Sequence, residues 1–218
     1  MDNAPTPTAS ILRLGDIAPD FEASTTHGPL SFHEWKGDSW CLLFSHPADF
    51  TPVCTTEFVG FASRADEFAK RNVKLIGNSI DSVFSHIAWM RNIEQTQGVK
   101  VGFPVIADLD QKVAQAYGMV HEPVAVTATV RTVFFIDPEH VLRAMIYYPL
   151  SAGRNIDEIM RLIDAMQTSD VHGVATPAGW KPGDDVIIPP PATAAAADER
   201  VADESLKLTD WYFAKKSL

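Results

Sequence analysis

The chain has 218 residues, 46% of them hydrophobic, and its 28 acidic against 18 basic side chains give a net charge of −10 at neutral pH. Such a balance disfavours nucleic acid and anionic membrane surfaces as general partners, and no apolar run reaches the ~18 residues needed to span a bilayer. The length suits one sizeable domain with an appendage.

Taken in chain order, residues 1–10 are small and polar and lack the apolar core of a secretion signal. They read as a flexible leader, with a cytoplasmic location as the default. The first strong element is the continuous apolar run Trp40-Cys41-Leu42-Leu43-Phe44, which fits a central strand of a parallel-type sheet and ends near Pro47. Beyond it Phe58, Phe61, Ala62, Ala65, Phe68 and Ala69 fall at helical spacing. Thr51 is placed to be the N-cap of that helix, with Pro52 at its first position. Cys54 then lies in the first turn, where unpaired N–H groups and the helix dipole favour an anion. A thiolate, not a thiol, is the nucleophile. The competing reading is a buried structural cysteine; the neighbours Thr51, Pro52, Thr55, Thr56 and Glu57 weigh against it.

Further strands are expected at 73–80 and 104–107, and a short helix at 110–117. Val83, Phe84, Ile87, Met90 and Ile93 mark an amphipathic helix that stops near Gly98. Residues 132–136 and 141–147 read as paired strands across the turn at Asp137-Pro138-Glu139-His140. Another helix carries Ile156, Ile159, Met160, Leu162, Ile163 and Met166. Alternation of strands and helices predicts an α/β core. After about residue 169 Pro177, Pro182 and Pro189 to Pro191 punctuate a segment of little periodicity. Its three adjacent aromatics, Trp211-Tyr212-Phe213, call for a surface to bury on.

Pro47-x-x-x-Thr51-x-x-Cys54 resembles the active-site motif of the peroxiredoxins, the thiol peroxidases. Gly37-Asp38-Ser39-Trp40, Phe44-Ser45-His46-Pro47 and Asp49-Phe50-Thr51-Pro52-Val53-Cys54-Thr55-Thr56-Glu57 are similar to the one-cysteine, peroxiredoxin-six type subfamily. So are Phe103-Pro104-Val105-Ile106-Ala107-Asp108, Tyr117-Gly118-Met119, Tyr148-Pro149, Gly153-Arg154-Asn155 and Val174-Ala175-Thr176-Pro177-x-x-Trp180, and the likeness covers about residues 11 to 191. It implies a thioredoxin-like domain over 11–168 and a C-terminal extension over 169–218 that packs partly across a dimer partner. It also implies a homodimer or a higher oligomer, without a cofactor or metal, that reduces hydrogen peroxide and organic hydroperoxides in antioxidant defence. Carried over residue by residue, Cys54 is the peroxidatic cysteine, Thr51 hydrogen-bonds the peroxide and the thiolate, and Pro47 shields the pocket from water. Arg131 stabilises the thiolate and polarises the peroxide, while His46, Glu57 and Arg154 match positions near that centre.

The implied chemistry is sound on first principles. A thiolate that attacks a peroxide oxygen becomes a sulfenic acid while hydroxide or alkoxide leaves. Donors that meet the charge on the leaving oxygen lower the barrier, and a guanidinium is a permanent, planar one. No cysteine follows Cys54, and Cys41 sits within the apolar strand as a small core residue. A Cys41–Cys54 disulfide would require local unwinding; the preferred reading is that the sulfenic acid awaits an external thiol, of glutathione or thioredoxin type.

Competing readings are a redox sensor or holdase on the same scaffold, and a phospholipase-like side activity. The latter would use Gly37-Asp38-Ser39-Trp40-Cys41 with His33 and Glu139, but Cys41 replaces the last glycine of a nucleophile elbow, so Ser39 reads as a turn residue. His33, Cys41 and His46 lack metal-ligand spacing, and His27, His86, His121, His140 and His172 read as solvated or structural.

Overall fold

The computed structural model describes residues 12–218, so the leader expected at 1–10 lies outside them. Within the described residues the chain forms two units that meet in sequence at Arg154 and Asn155.

The first unit is built on a seven-stranded sheet in the order β2-β1-β5-β4-β3-β6-β7. Its elements are β1 (Glu22–Thr25), β2 (Gly28–Ser31), α1 (Phe32–Lys36), β3 (Trp40–Ser45), α2 (Pro52–Ser63), α3 (Ala65–Lys70), β4 (Val73–Ser79), α4 (Val83–Gln97), β5 (Val105–Ala107), α5 (Lys112–Ala116), β6 (Arg131–Ile136) and β7 (Leu142–Tyr148). β3, β4 and β5 run parallel, and β6 and β7 continue the sheet antiparallel beside β3. All six residues of β3, and all six of β6, are buried. A strand covered on both faces needs an unbroken apolar run rather than alternation, which is what residues 40–44 provide.

Side chains of one sheet face, Leu43, Ile76, Ile106 and Phe134, pack with Phe32 and Tyr117 into a core. Elsewhere Phe44 stacks on Phe61 at 4.3 Å and meets Phe58 edge-on at 5.6 Å, so α2 is clamped to β3 by rings. Gly77 of β4 makes this close seating possible, because a β-carbon there would lie 3.2 Å from the Phe58 ring. A second device closes the far end of β3. Lys36 is fully buried, and its Nζ donates to the carbonyls of Gly37, Ser39, Asp137 and Pro138 at 2.7–3.1 Å.

Two expectations need correction here. The helix expected from Pro52 through Ala69 is broken at Arg64 into α2 and α3, where backbone at φ −113°, ψ 14° leaves the helical region. The face expected for α4 is also displaced. His86, Trp89 and Ile93 are buried, whereas Phe84 and Ile87 are exposed. The α4 helix does end at Gly98, which adopts the left-handed conformation at φ 70°. β1, β2 and α1 were not expected; they are four- and five-residue elements too short to set a period.

The second unit holds α6 (Ile156–His172), β8 (Val186–Ile188), α7 (Ala194–Val201), β9 (Lys207–Asp210) and β10 (Phe213–Lys216). Asn155 caps α6 by accepting from the N–H groups of Asp157 and Glu158, and left-handed Gly173 ends it. Ala165 of α6 shares a small core with Val174, Trp180 and Val186. That shared core groups α6 with the C-terminal segment, whereas the expected boundary falls after residue 168. The segment expected to lack periodic structure contains an antiparallel sheet in the order β8-β10-β9. Trp211 and Tyr212, two of the aromatics that call for a surface to bury on, form the β9–β10 turn at 43% and 54% exposure.

Candidate active site

The loop between β3 and α2 carries the motif. Thr51 occupies the N-cap position with extended backbone, and Pro52 opens the helix, as the sequence requires. The expected capping bond is not made: the Thr51 hydroxyl donates to the Ala48 carbonyl at 2.9 Å, and no cap bond comes from its side chain. Pro47 and Thr51 both line this loop and are partly buried. Cys54 is in the first turn of α2 and fully buried.

Around Cys54 three buried charged groups converge. Arg131, the first residue of β6, donates from Nη1 to Cys54 Sγ at 3.2 Å and to Glu57 Oε2 at 2.8 Å. Its Nε and Nη2 both donate to the Leu150 carbonyl at 3.0 Å, which fixes the plane of the fork. Arg154 grips the same carboxylate, from Nε to Oε1 at 3.0 Å and from Nη2 to Oε2 at 2.7 Å, and its backbone N–H adds a third bond to Oε1 at 2.9 Å. Its Nη1 donates to the carbonyls of Ser45 and Thr132, both at 2.8 Å. The guanidinium also lies over the rings of Phe44 and Phe61 at 5.1 and 5.6 Å. Burial pulls Arg154 below its ordinary pKa, and Glu57 opposes that pull.

Charge counting gives this cluster its chemical meaning. Two guanidiniums face one carboxylate, and Arg131, Arg154, Glu57 and Cys54 are each at most 7% exposed. One buried positive charge is left over, and a thiolate at Cys54 would neutralise it. Of the residues singled out from sequence, Cys54, Arg131, Glu57 and Arg154 are thus in one hydrogen-bonded group. His46 is not part of it. Its Nε2 bonds Asp49 Oδ1 at 2.9 Å, and its ring packs between Phe58 and Trp89 at 4.8 and 5.1 Å. Sequence reasoning passed over Asp49, and it classed His86 as solvated or structural; the two are bonded in the interior. The available signal was helical spacing: His86 precedes Trp89 and Ile93 on the buried face of α4.

Cys41 is the second residue of β3 at 0% exposure, and burial drives its thiol far above the ordinary range. It is a neutral core group with little thiolate character. The elbow residues are also engaged elsewhere. Ser39 Oγ donates to Asn72 Oδ1 at 2.9 Å, while His33 Nε2 is 2.9 Å from the Ala18 carbonyl and its ring stacks on His140 at 3.9 Å. Among the described residues, one group could bring three ligand-type atoms within 4.8 Å, namely His46, Asp49 and His86. Their contacts, at 2.9–3.0 Å, have the length of shared protons.

Known proteins are similar to this chain over most of its length. Residues 14–145 match the AhpC/TSA family, and residues 165–203 match the C-terminal domain of 1-Cys peroxiredoxin. A peroxiredoxin of Aquifex aeolicus is 53% identical over 96% of this chain and 98% of its own length. The 1-Cys peroxiredoxin of Dictyostelium discoideum is 50% identical over 84% of this chain and 76% of its own. Among solved structures, the yeast mitochondrial 1-Cys peroxiredoxin superposes with a TM-score of 0.86 at 44% identity, covering 95% of this chain and all of that one. Peroxiredoxin 6 of Arenicola marina gives 0.85 at 36%, covering 95% and 99%.

A thioredoxin-like sheet bearing a buried, arginine-bonded cysteine at a helix start therefore defines a thiol-dependent peroxidase. The chain belongs to the AhpC/TSA family and is a peroxiredoxin of the 1-Cys type.

Proposed function

We propose that Cys54 is the peroxidatic nucleophile and that Arg131, Thr51 and Pro47 form its peroxide site, with Glu57 and Arg154 holding Arg131 in place. The observation that carries this reading is the 3.2 Å bond from Arg131 Nη1 to Cys54 Sγ inside a cluster with one surplus positive charge. The thiolate attacks one peroxide oxygen and the O–O bond breaks. Cys54 becomes a sulfenic acid, and the other oxygen leaves as hydroxide or alkoxide and takes a proton. Arg131 meets the charge on the leaving oxygen. A first external thiol condenses with the sulfenic acid, releasing water, and a second displaces it as a disulfide.

Cys41 is the only other cysteine and is locked in β3, which supports an external reductant over an internal one. The thiol resolving mechanism of the yeast relative runs through the glutathione/thioredoxin systems, and the same class of reductant suits this chain. A cycle of that kind depends on a reducing thiol pool, which goes with a cytoplasmic location. No described helix is long and apolar enough to cross a membrane. A homodimer is the assembly expected from the subfamily pattern, and light scattering of the purified protein measures it.

Stopped-flow oxidation of the prereduced protein by hydrogen peroxide tests the central claim. Fast oxidation is expected in the wild type and in Cys41→Ser and absent in Cys54→Ser. A wild-type rate no faster than that of a free thiol would instead identify a sensor or holdase.

A further inference from the structure

The loop that presents Cys54 is pinned from below by side chains the peroxide chemistry does not use. Asp49, two residues before Thr51, is 8% exposed. Its Oδ1 bonds His46 Nε2 at 2.9 Å, and its two oxygens lie 3.0 and 2.9 Å from Nδ1 of His86. His86 stands in the first turn of α4 at 0% exposure, and its other ring nitrogen, Nε2, is 3.0 Å from the Ile106 carbonyl of β5. A carboxylate and a backbone carbonyl can only accept. A neutral imidazole has a single N–H, so it could satisfy one of these contacts and would oppose a lone pair to an acceptor at the other. Both contacts are satisfied when both nitrogens carry hydrogen.

His46 follows from the same logic. Its Nε2 faces the carboxylate and carries the hydrogen, while its Nδ1 is buried without a hydrogen-bond partner and keeps a bare lone pair. Burial lowers the pKa of His46, in keeping with a neutral ring. Burial also works against ionisation of Asp49, but the bonds from His46 and His86 outweigh it and hold the carboxyl well below the usual range. The remaining charge beside the pair is Asp81, in the turn before α4, whose Oδ2 accepts from the Asp49 N–H at 3.1 Å and from Ser79 Oγ at 2.7 Å.

We propose that His86 is a buried imidazolium and a positioning residue for peroxide reduction: through Asp49 it ties the segment from His46 to Thr51 to α4 and β5, so that the first turn of α2 is offered to the peroxide in one geometry. The proposal rests on the reading of Cys54 as the peroxidatic cysteine. With only one N–H on the ring, either Asp49 would be a buried carboxylate short of a donor or the bare Nε2 would face the Ile106 carbonyl, and in both cases the tie between the loop, α4 and β5 would loosen.

Nitrogen NMR of histidine-labelled wild-type protein tests the charge state directly. At neutral pH two N–H signals are expected on the His86 ring and one, on Nε2, for His46; a single N–H on His86 overturns the proposal. Stopped-flow oxidation tests the positioning role. His86→Gln, folded by circular dichroism, is expected to oxidise about tenfold more slowly, the scale of loss that a slight misplacement causes. Asp49→Asn is expected to lose a similar factor, and the double variant no more than either alone, since the two act as a unit. Wild-type rates in His86→Gln, or losses that multiply in the double variant, overturn it. Peroxide reactivity that survives Cys54→Ser would refute the underlying reading instead, so the two failures are distinguishable.

Discussion

At the scale of single residues, Glu57 is the hinge of the site's electrostatics because both buried guanidiniums close on it. Glu57→Gln would leave two neighbouring buried cations with a neutral partner. The expected cost is about 3–5 kcal/mol, read as a lowered urea midpoint. Arg131→Met removes the group that touches Cys54 Sγ and leaves the bonds of Arg154 to Glu57 intact. Oxidation by peroxide is expected to slow by about 10²–10³-fold, with weaker thiolate absorbance at neutral pH. A rate unchanged in stopped flow would remove Arg131 from the chemistry. Cys54, Thr51 and Pro47 were legible as a group because they lie within eight residues of one another, across the β3–α2 loop and the first turn of α2. Arg131 and Cys54 are 77 residues apart, so only the family pattern connected them. The bond from His86 to the Ile106 carbonyl was invisible for a deeper reason: a backbone carbonyl has no signature in a sequence.

At the scale of elements, α4 shows where periodicity misleads. Phe84 and Ile87 are the more hydrophobic choice for the buried face, yet the helix turns His86, Trp89 and Ile93 inward, where His86 bonds Asp49 and Ile106. Phe84 is 79% exposed in this chain, so Phe84→Ser is expected to change the stability of the monomeric chain by less than about 0.5 kcal/mol. Ile93→Ala, at a fully buried position, is expected to cost about 2–5 kcal/mol. Equal denaturant midpoints for the two variants would contradict the orientation of α4. β3 and β6 were legible because a doubly covered strand carries an unbroken apolar run, residues 40–44 in the one and 133–136 in the other. β8, β9 and β10 have three or four residues each, too few to establish an alternation.

At the scale of the whole molecule, buried titratable groups fix how stability responds to acid. His46 has a folded pKa below its unfolded value, so the unfolded chain gains protons first as pH falls below about 6.5, and stability drops from there. Asp49 is likewise depressed, so its contribution is present above about pH 4 and is lost as pH falls towards its folded value. Asp108, raised by burial, acts in the opposite sense. His46 sets the first decline and Asp49 the second, so urea midpoints are expected to fall from about pH 6 to pH 5 and again below pH 4. A midpoint that rises on acidification would refute this assignment.

The carbonyl cage around Lys36 also makes one amine of the chain a clock. Its Nζ is shut inside and held by four oxygens, whereas the Lys112 side chain is 81% exposed. An amine-reactive label would decorate Lys112 at once and Lys36 only during moments when the end of β3 comes apart. The ratio of the two labelling rates, read by mass spectrometry on the untouched wild type, would report how often this region opens, with no probe added and no residue changed.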